Sequence, residues 1–214
     1  MEPRESTLRF EFNARHFVLG DVTSAREVWF VLHGYGQLAK YFIKKFSALQ
    51  ELGICVIAPE GLSRFYLHGN HGRVGATWMT SENRLMDIQN YVAYLNAVCH
   101  HQIKDRPVKT TILGFSQGAA TAMRWAMDGK VLFDRLVLWA GLFPPDIDFA
   151  KGAALLHGKD VVEVLGKQDE FITQERVAEM HRLNTLLKIS PTIIQFEGKH
   201  EIDQQILAQI ALMR

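Results

Sequence analysis

Residues 111–118, Thr-Ile-Leu-Gly-Phe-Ser-Gln-Gly, constrain this chain more than any other stretch. An apolar, β-branched run (Val108, Thr110, Thr111, Ile112, Leu113) leads into a Gly-x-Ser-x-Gly turn centred on Ser116, and small residues with helical character follow (Gly118, Ala119, Ala120, Ala122). The order is strand, tight turn, helix. A serine in such a turn is held in a strained backbone conformation, so Gly114 and Gly118 are read as points where neighbouring backbone passes close by. The hydroxyl then projects clear of the sheet.

Elsewhere strand and helix patterns alternate. Residues 7–19 alternate in part (Leu8, Phe10, Phe12 against Arg9, Glu11), which with Asn13-Ala14 as a turn predicts an antiparallel hairpin at a sheet edge. Val28–Leu32, Ile54–Ala58, Leu136–Trp139 and Val161–Leu165 are continuous apolar runs, the pattern of strands covered on both faces. Ile193–Phe196 carries polar neighbours and is placed nearer an edge. Helical spacing links Leu38, Phe42, Phe46 and Leu49, then Leu85 to Cys99, a segment starting near Thr173, and Ile202 to Met213. Residues 60–80, rich in glycine and aromatics, are too long for a simple connector and are expected to form a functional loop. The stretch after Trp139 reads as a short connector to about residue 160, without room for a helical cap. The expectation is one α/β domain over 1–214, a mainly parallel sheet flanked by helices with no separate cap domain. Right-handed crossovers then bring His33-Gly34-Tyr35, Ser116, Phe143, Asp169 and His200 to one rim of the sheet.

A serine hydroxyl is a weak nucleophile until a positioned base takes its proton. His200, directly after the last strand, is the candidate base, and Asp169 the carboxylate that would fix its tautomer and stabilise the imidazolium. Glu170 has the same chemistry but lies further from the strand end. The order Ser116, Asp169, His200 is that of an α/β hydrolase. Acyl transfer also needs donors aimed at the developing oxyanion, and the backbone N–H groups of Tyr35 and Gln117 fall in the right turns. Because that role belongs to the backbone, Gln117→Ala is expected to be mild. His33 is read as a turn-packing residue that hydrogen-bonds backbone.

On these residues the chain resembles the α/β hydrolase superfamily, and within it the small phospholipase/carboxylesterase group that includes acyl-protein thioesterases. The shared marks are Leu32-His33-Gly34-Tyr35-Gly36, Ala58-Pro59-Glu60, Gly114-Phe115-Ser116-Gln117-Gly118, and the turns at Gly166–Asp169 and Gly198–His200. The resemblance implies the triad Ser116, Asp169, His200 and an oxyanion hole at the Tyr35 and Gln117 backbones. Two departures keep thioesterase specificity from being transferred. Ala119 stands where a second glycine is common, and Val164-Leu165-Gly166 where His-Gly usually precedes the acid turn. The segment from Phe65 to Thr80 looks more like that of bacterial small carboxylesterases.

The function expected is a carboxylesterase-type serine hydrolase acting on small or surface-presented acyl esters in an open cleft, with Phe65, Tyr66, Trp78 and Phe143 as candidate acyl wall. A lysophospholipase or acyl-thioesterase on the same triad is the alternative. A transferase sharing the acyl-enzyme, and an idle scaffold acting as a binding protein, are rivals of other classes. No cofactor is expected; His68 and His71 lack a further ligand nearby, which argues against a metal. A formal net charge of +1 gives no electrostatic reason for nucleic acid. The charged start Met-Glu-Pro-Arg-Glu-Ser-Thr and the lack of a long apolar run favour a cytoplasmic protein without integral membrane association. Cys55 and Cys99 are read as free thiols.

Overall fold

The computed structural model describes residues 2–104 and 106–213. Strand β1 (His16–Leu19) precedes β2 (Glu27–Leu32), the short helix α1 (Ala39–Phe42), which continues in 3-10 turns over Ile43–Leu52, and β3 (Ile54–Pro59). Then come β4 (Ser63–Tyr66), β5 (Val74–Thr77), α2 (Arg84–Ile103), β6 (Lys109–Phe115) and α3 (Gln117–Asp128). The chain finishes with β7 (Arg135–Trp139), α4 (Phe149–Leu156), β8 (Asp160–Gly166), α5 (Gln174–Leu186), β9 (Thr192–Phe196) and α6 (Gln204–Leu212).

Seven strands make the main sheet in the order β1-β3-β2-β6-β7-β8-β9, and only β1 is antiparallel to its neighbour. Alternate residues of the apolar runs feed two cores: Val28, Phe30 and Leu32 of β2 face one, Trp29 and Val31 the other. The first core is covered by α2, α3, α4 and α5, the second by α1 with its 3-10 extension and by α6. A run buried on both faces has no room for alternation, which is why these strands read as continuous hydrophobic stretches. From β2 the chain winds outward to β3, then returns across β2 to β6 and winds the other way. The reversal falls between β2 and β6, and the turns at residues 33–36 and 116 lie at their carboxyl ends, where ligands of open α/β sheets generally bind.

Three expectations are corrected. The edge hairpin is absent: residues 7–15 form no strand, and Leu8, Phe10 and Phe12 are exposed. Alternation makes a segment compatible with a pleated surface, but nothing pairs with it here. Only His16–Leu19 joins the sheet, and the chain before it is tied down at Arg15, whose Nε donates to Glu60 Oε1 at 2.6 Å. Residues 60–80 are not an open loop, because β4 and β5 pair as an antiparallel hairpin outside the main sheet. The connector after Trp139 contains α4, whose amino end is capped by Asp148 accepting from the Lys151 N–H at 3.0 Å. This helix packs on the domain through Leu156 and forms no cap. Cys55 and Cys99 are unpaired thiols, and among the described residues no helix is long and apolar enough to cross a membrane.

Polar groups in the interior mark where the fold is least forgiving. Arg135 is buried, paired with Asp160, and donates to the carbonyls of Ile210 and Met213 at 2.7 and 3.0 Å, closing the carboxyl end of α6. Glu163 is buried on β8 and accepts from Asn184 Nδ2 at 2.9 Å, while Glu163 Oε1 and Asn184 Oδ1 have no partner among the described residues. Burial raises the Glu163 carboxyl to about 7. A carboxyl raised on folding contributes its stability fully below its ordinary value of 4.5 and loses it as pH climbs through 7. The Glu163 contribution is therefore expected to fall by about 2 kcal/mol between pH 4.5 and pH 8, read as the urea-unfolding profile of the parent minus that of Glu163→Gln.

Candidate active site

Ser116 sits between β6 and α3 at φ 55° and ψ −116°, a conformation that costs an L-residue of order 1–3 kcal/mol. It is held there by its own N–H donating to the Trp139 carbonyl at 2.8 Å and by its carbonyl accepting from Ala119 N–H at 3.0 Å. The flanking glycines are steric requirements. A Cβ on Gly114 would run into the Gly118 carbonyl, and one on Gly118 into the carbonyl of Leu32, with His33 O only 2.8 Å away. The amino end of α3 thus lies directly on the end of β2.

That packing sets the turn after β2 beside the serine, with the Cβ position of Gly34 3.2 Å from Ser116 Cβ. His33 locks the turn: its Nδ1–H donates to Gly34 O at 2.8 Å, and its Nε2 accepts from Gly61 N–H at 2.9 Å. This requires a neutral ring, and burial depresses its pKa to about 4. Among the described residues neither the Tyr35 N–H nor the Gln117 N–H has a hydrogen-bond partner. Two free backbone donors therefore flank the serine, one at a helix start.

Asp169 and His200 come from the turns after β8 and β9. The His200 Nδ1–H donates to Asp169 Oδ2 at 2.7 Å, and Asp169 Oδ1 accepts from Phe171 N–H at 2.9 Å. The carboxylate is wholly buried while the imidazole is about one quarter exposed. With Nδ1 committed, Nε2 is the free basic nitrogen. The ring is held between Phe115 and Phe171, each with its centroid 4.8 Å away. Among the described residues the Ser116 hydroxyl has no hydrogen-bond partner, so it does not donate to His200 in this structure; such bonds commonly tighten only around a substrate.

The candidate acyl wall is redrawn. Trp78 is buried, stacked on His33 at 5.0 Å and donating its Nε1–H to the His33 carbonyl at 2.8 Å. Phe143 is also buried in the core. Both are scaffold, because each ring finds apolar partners below the rim. Phe65 meets the turn after β2, its ring 5.1 Å from that of Tyr35, whereas Tyr66 alternates to the opposite face of the hairpin. Phe171, half exposed against His200, was not singled out from the sequence. An aromatic two residues past a candidate acid was the available signal.

The Gln117 side chain also departs from expectation. Its Oε1 accepts from Trp78 N–H at 3.1 Å, and its Nε2 donates to Met79 O at 2.9 Å and Thr77 Oγ1 at 3.0 Å. It ties the end of the hairpin to the first turn of α3, so the side chain as well as the backbone carries structure. Among the described residues no cluster of His, Cys, Asp or Glu could hold a metal ion.

The family described as serine hydrolase (FSH1) matches residues 25–208. No curated protein is detectably similar in sequence. Solved structures share the fold. Acyl-protein thioesterase 2 of Zea mays superposes with a TM-score of 0.71 at 18% identity, covering 93% of this chain and 96% of its own. A carboxylesterase of Mesorhizobium loti gives 0.68 at 18%, covering 92% of each chain. A monoacylglycerol lipase of Paleococcus ferrophilus gives 0.62 at 14%, covering 94% and 97%.

Gln117→Ala removes a bond from the Trp78 amide, which has no other partner among the described residues, and one to the Met79 carbonyl, which keeps its bond from Thr77 Oγ1. It is expected to lower thermal stability by about 1–3 kcal/mol. A melting curve matching the parent's would show that the loop re-pairs without it.

Proposed function

The chain belongs to the serine hydrolase (FSH1) family, and from that premise we propose that it cleaves carboxylic esters of small or surface-presented acyl groups through an acyl-enzyme on Ser116. The observation that carries the reading is the bond from His200 Nδ1 to Asp169. It fixes the tautomer that leaves Nε2 able to take a proton.

In the proposed reaction Ser116 Oγ attacks the acyl carbonyl and its proton passes to His200 Nε2. Negative charge collects on the carbonyl oxygen, where the free N–H groups of Tyr35 and Gln117 receive it. Asp169 stabilises the imidazolium without taking the proton. Collapse expels the alcohol, which leaves with the proton from His200. Water then attacks the acyl carbonyl and gives a proton to the same nitrogen; the second collapse breaks the bond to Ser116 Oγ, which takes that proton back from His200 as the acid leaves. Strain at Ser116 supports the reading, since it presents the hydroxyl at the rim.

An open site fits small acyl groups. Trp78 and Phe143 lie in the core, leaving Tyr35, Phe65 and Phe171 as the aromatic surface near the serine. The exposure of Tyr35 and Phe171 also suits a second reading, a lysophospholipase or acyl-thioesterase, in which these rings would border a longer chain. The reading is of a protein free of membrane spans, acting on a small-molecule ester in the cytoplasm without a cofactor.

Ser116→Ala and His200→Ala are expected to abolish nearly all turnover with little change in thermal stability. Asp169→Asn should lower kcat by roughly 10⁴-fold, the loss known when this tautomer is disfavoured. A fluorophosphonate should label the parent at Ser116 and leave Ser116→Ala unlabelled. Failure to label would point to an idle scaffold. Comparing kcat/KM for 4-nitrophenyl acetate and octanoate separates the two substrate readings, with acetate preferred if the site is shallow.

A further inference from the structure

We infer that Arg73 binds an anionic group on the substrate, so that the preferred esters carry a carboxylate or phosphate close to the scissile bond. The inference rests on the hydrolase reading and specifies its substrate class. It starts from charge distribution: residues 61–81 contain Arg64 and Arg73 and no aspartate or glutamate, in a chain whose acidic and basic residues nearly balance. Several arginines of the fold have carboxylate partners, Arg15 with Glu60, Arg84 and Arg124 with Asp146, Arg135 with Asp160, while Arg26 and Arg106 donate to backbone carbonyls and Arg64, like Arg73, has no ion pair among the described residues. Arg73 is exposed and, among the described residues, has no ion pair.

Its placement follows from the hairpin. β5 is bonded to the turn after β2, with Gly36 N–H donating to Ala76 O at 2.9 Å and Ala76 N–H to Gln37 O at 3.1 Å. Gly75 lies directly on Gly36, and Leu67 Cδ2 comes within 3.1 Å of the Gly36 Cβ position. Phe65 pairs with Gly75 and meets Tyr35. Directly opposed residues share a face of a two-stranded sheet. The face carrying Phe65, Gly75 and Leu67 is therefore the one turned toward the turn that holds the Tyr35 N–H. Pairing continues one step further, Leu67 N–H donating to Arg73 O at 2.8 Å, which sets Arg73 on that same face. Arg64 pairs with Ala76 and faces the other way. Arg73 thus lies on the hairpin face turned toward that turn, and its guanidinium, with no ion pair among the described residues, has two parallel donors to offer an oxyanion.

Two ester pairs of matched size test this. One compares 4-nitrophenyl butyrate with 4-nitrophenyl hemisuccinate, placing the anion on the acyl side. The other compares 4-nitrophenyl acetate with 3-carboxy-4-nitrophenyl acetate, placing it on the leaving group. Ser116→Ala supplies the blank for each. The parent is expected to favour the anionic member of at least one pair, with the preference declining as salt rises. Arg73→Gln should reduce that preference about threefold to tenfold through KM, with neutral esters changed less than about twofold, and Arg73→Lys should retain most of it. If neutral esters are cleaved but neither anionic ester is favoured, or Arg73→Gln slows neutral and anionic esters alike, the inference is overturned while the hydrolase reading stands. If no ester is turned over and Ser116 resists a fluorophosphonate, the hydrolase reading itself fails.

Discussion

The structure depends on a close approach: the first turn of α3 lies on the end of β2, with Gly118 against the Leu32 and His33 carbonyls. Any side chain at Gly114 or Gly118 would force β6, α3 and β2 apart. From that one contact follow the strained backbone of Ser116, the nearness of Gly34 to its Cβ, and the pair of unengaged N–H groups on either side. A strain of order 1–3 kcal/mol is small beside the burial of the surrounding strands, and it persists because bonds to Trp139 O and from Ala119 N–H leave the serine no alternative.

The sheet supplies what this contact cannot. Asp169 and His200 reach the rim because β8 and β9 run parallel to β6 and end at the same level. The turns that carry the free Tyr35 and Gln117 N–H groups follow the adjacent strands β2 and β6 at the reversal of strand order, while Asp169 and His200 come from the turns after β8 and β9, further along the sheet.

Much of this was legible in the sequence, for identifiable reasons. Strands buried on both faces announce themselves as unbroken apolar runs, and tight turns at strand ends force glycine within a few positions of the candidate residues, as at Gly34, Gly114, Gly166 and Gly198. His33 was legible as a packing residue, and the structure gives it two backbone partners. Side-chain direction was not legible. Whether Trp78 walls a cleft or stacks beneath it turns on its bond to the His33 carbonyl, and nothing in the order of residues encodes a tertiary partner. Gln117 was judged by its backbone alone, yet its amide spans to residues 77–79. The edge hairpin failed for the complementary reason: Leu8, Phe10 and Phe12 have strand periodicity, and pairing is decided by what lies alongside.

The hairpin of β4 and β5 joins these observations. One side of it is hydrogen-bonded to the turn that presents the Tyr35 N–H, and its far end is held by Gln117, which supplies the other free N–H. The segment carrying Phe65 and Arg73 is thus built into both donors that flank the serine. A group bound on the hairpin face cannot shift it without pulling on Gly36 or on the first turn of α3, both of which are packed too tightly to yield independently. The hairpin and the two turns that offer free N–H groups are therefore one packed unit, and the backbone contacts at Gly36 and Gly75 fix where Phe65 and Arg73 lie relative to those turns.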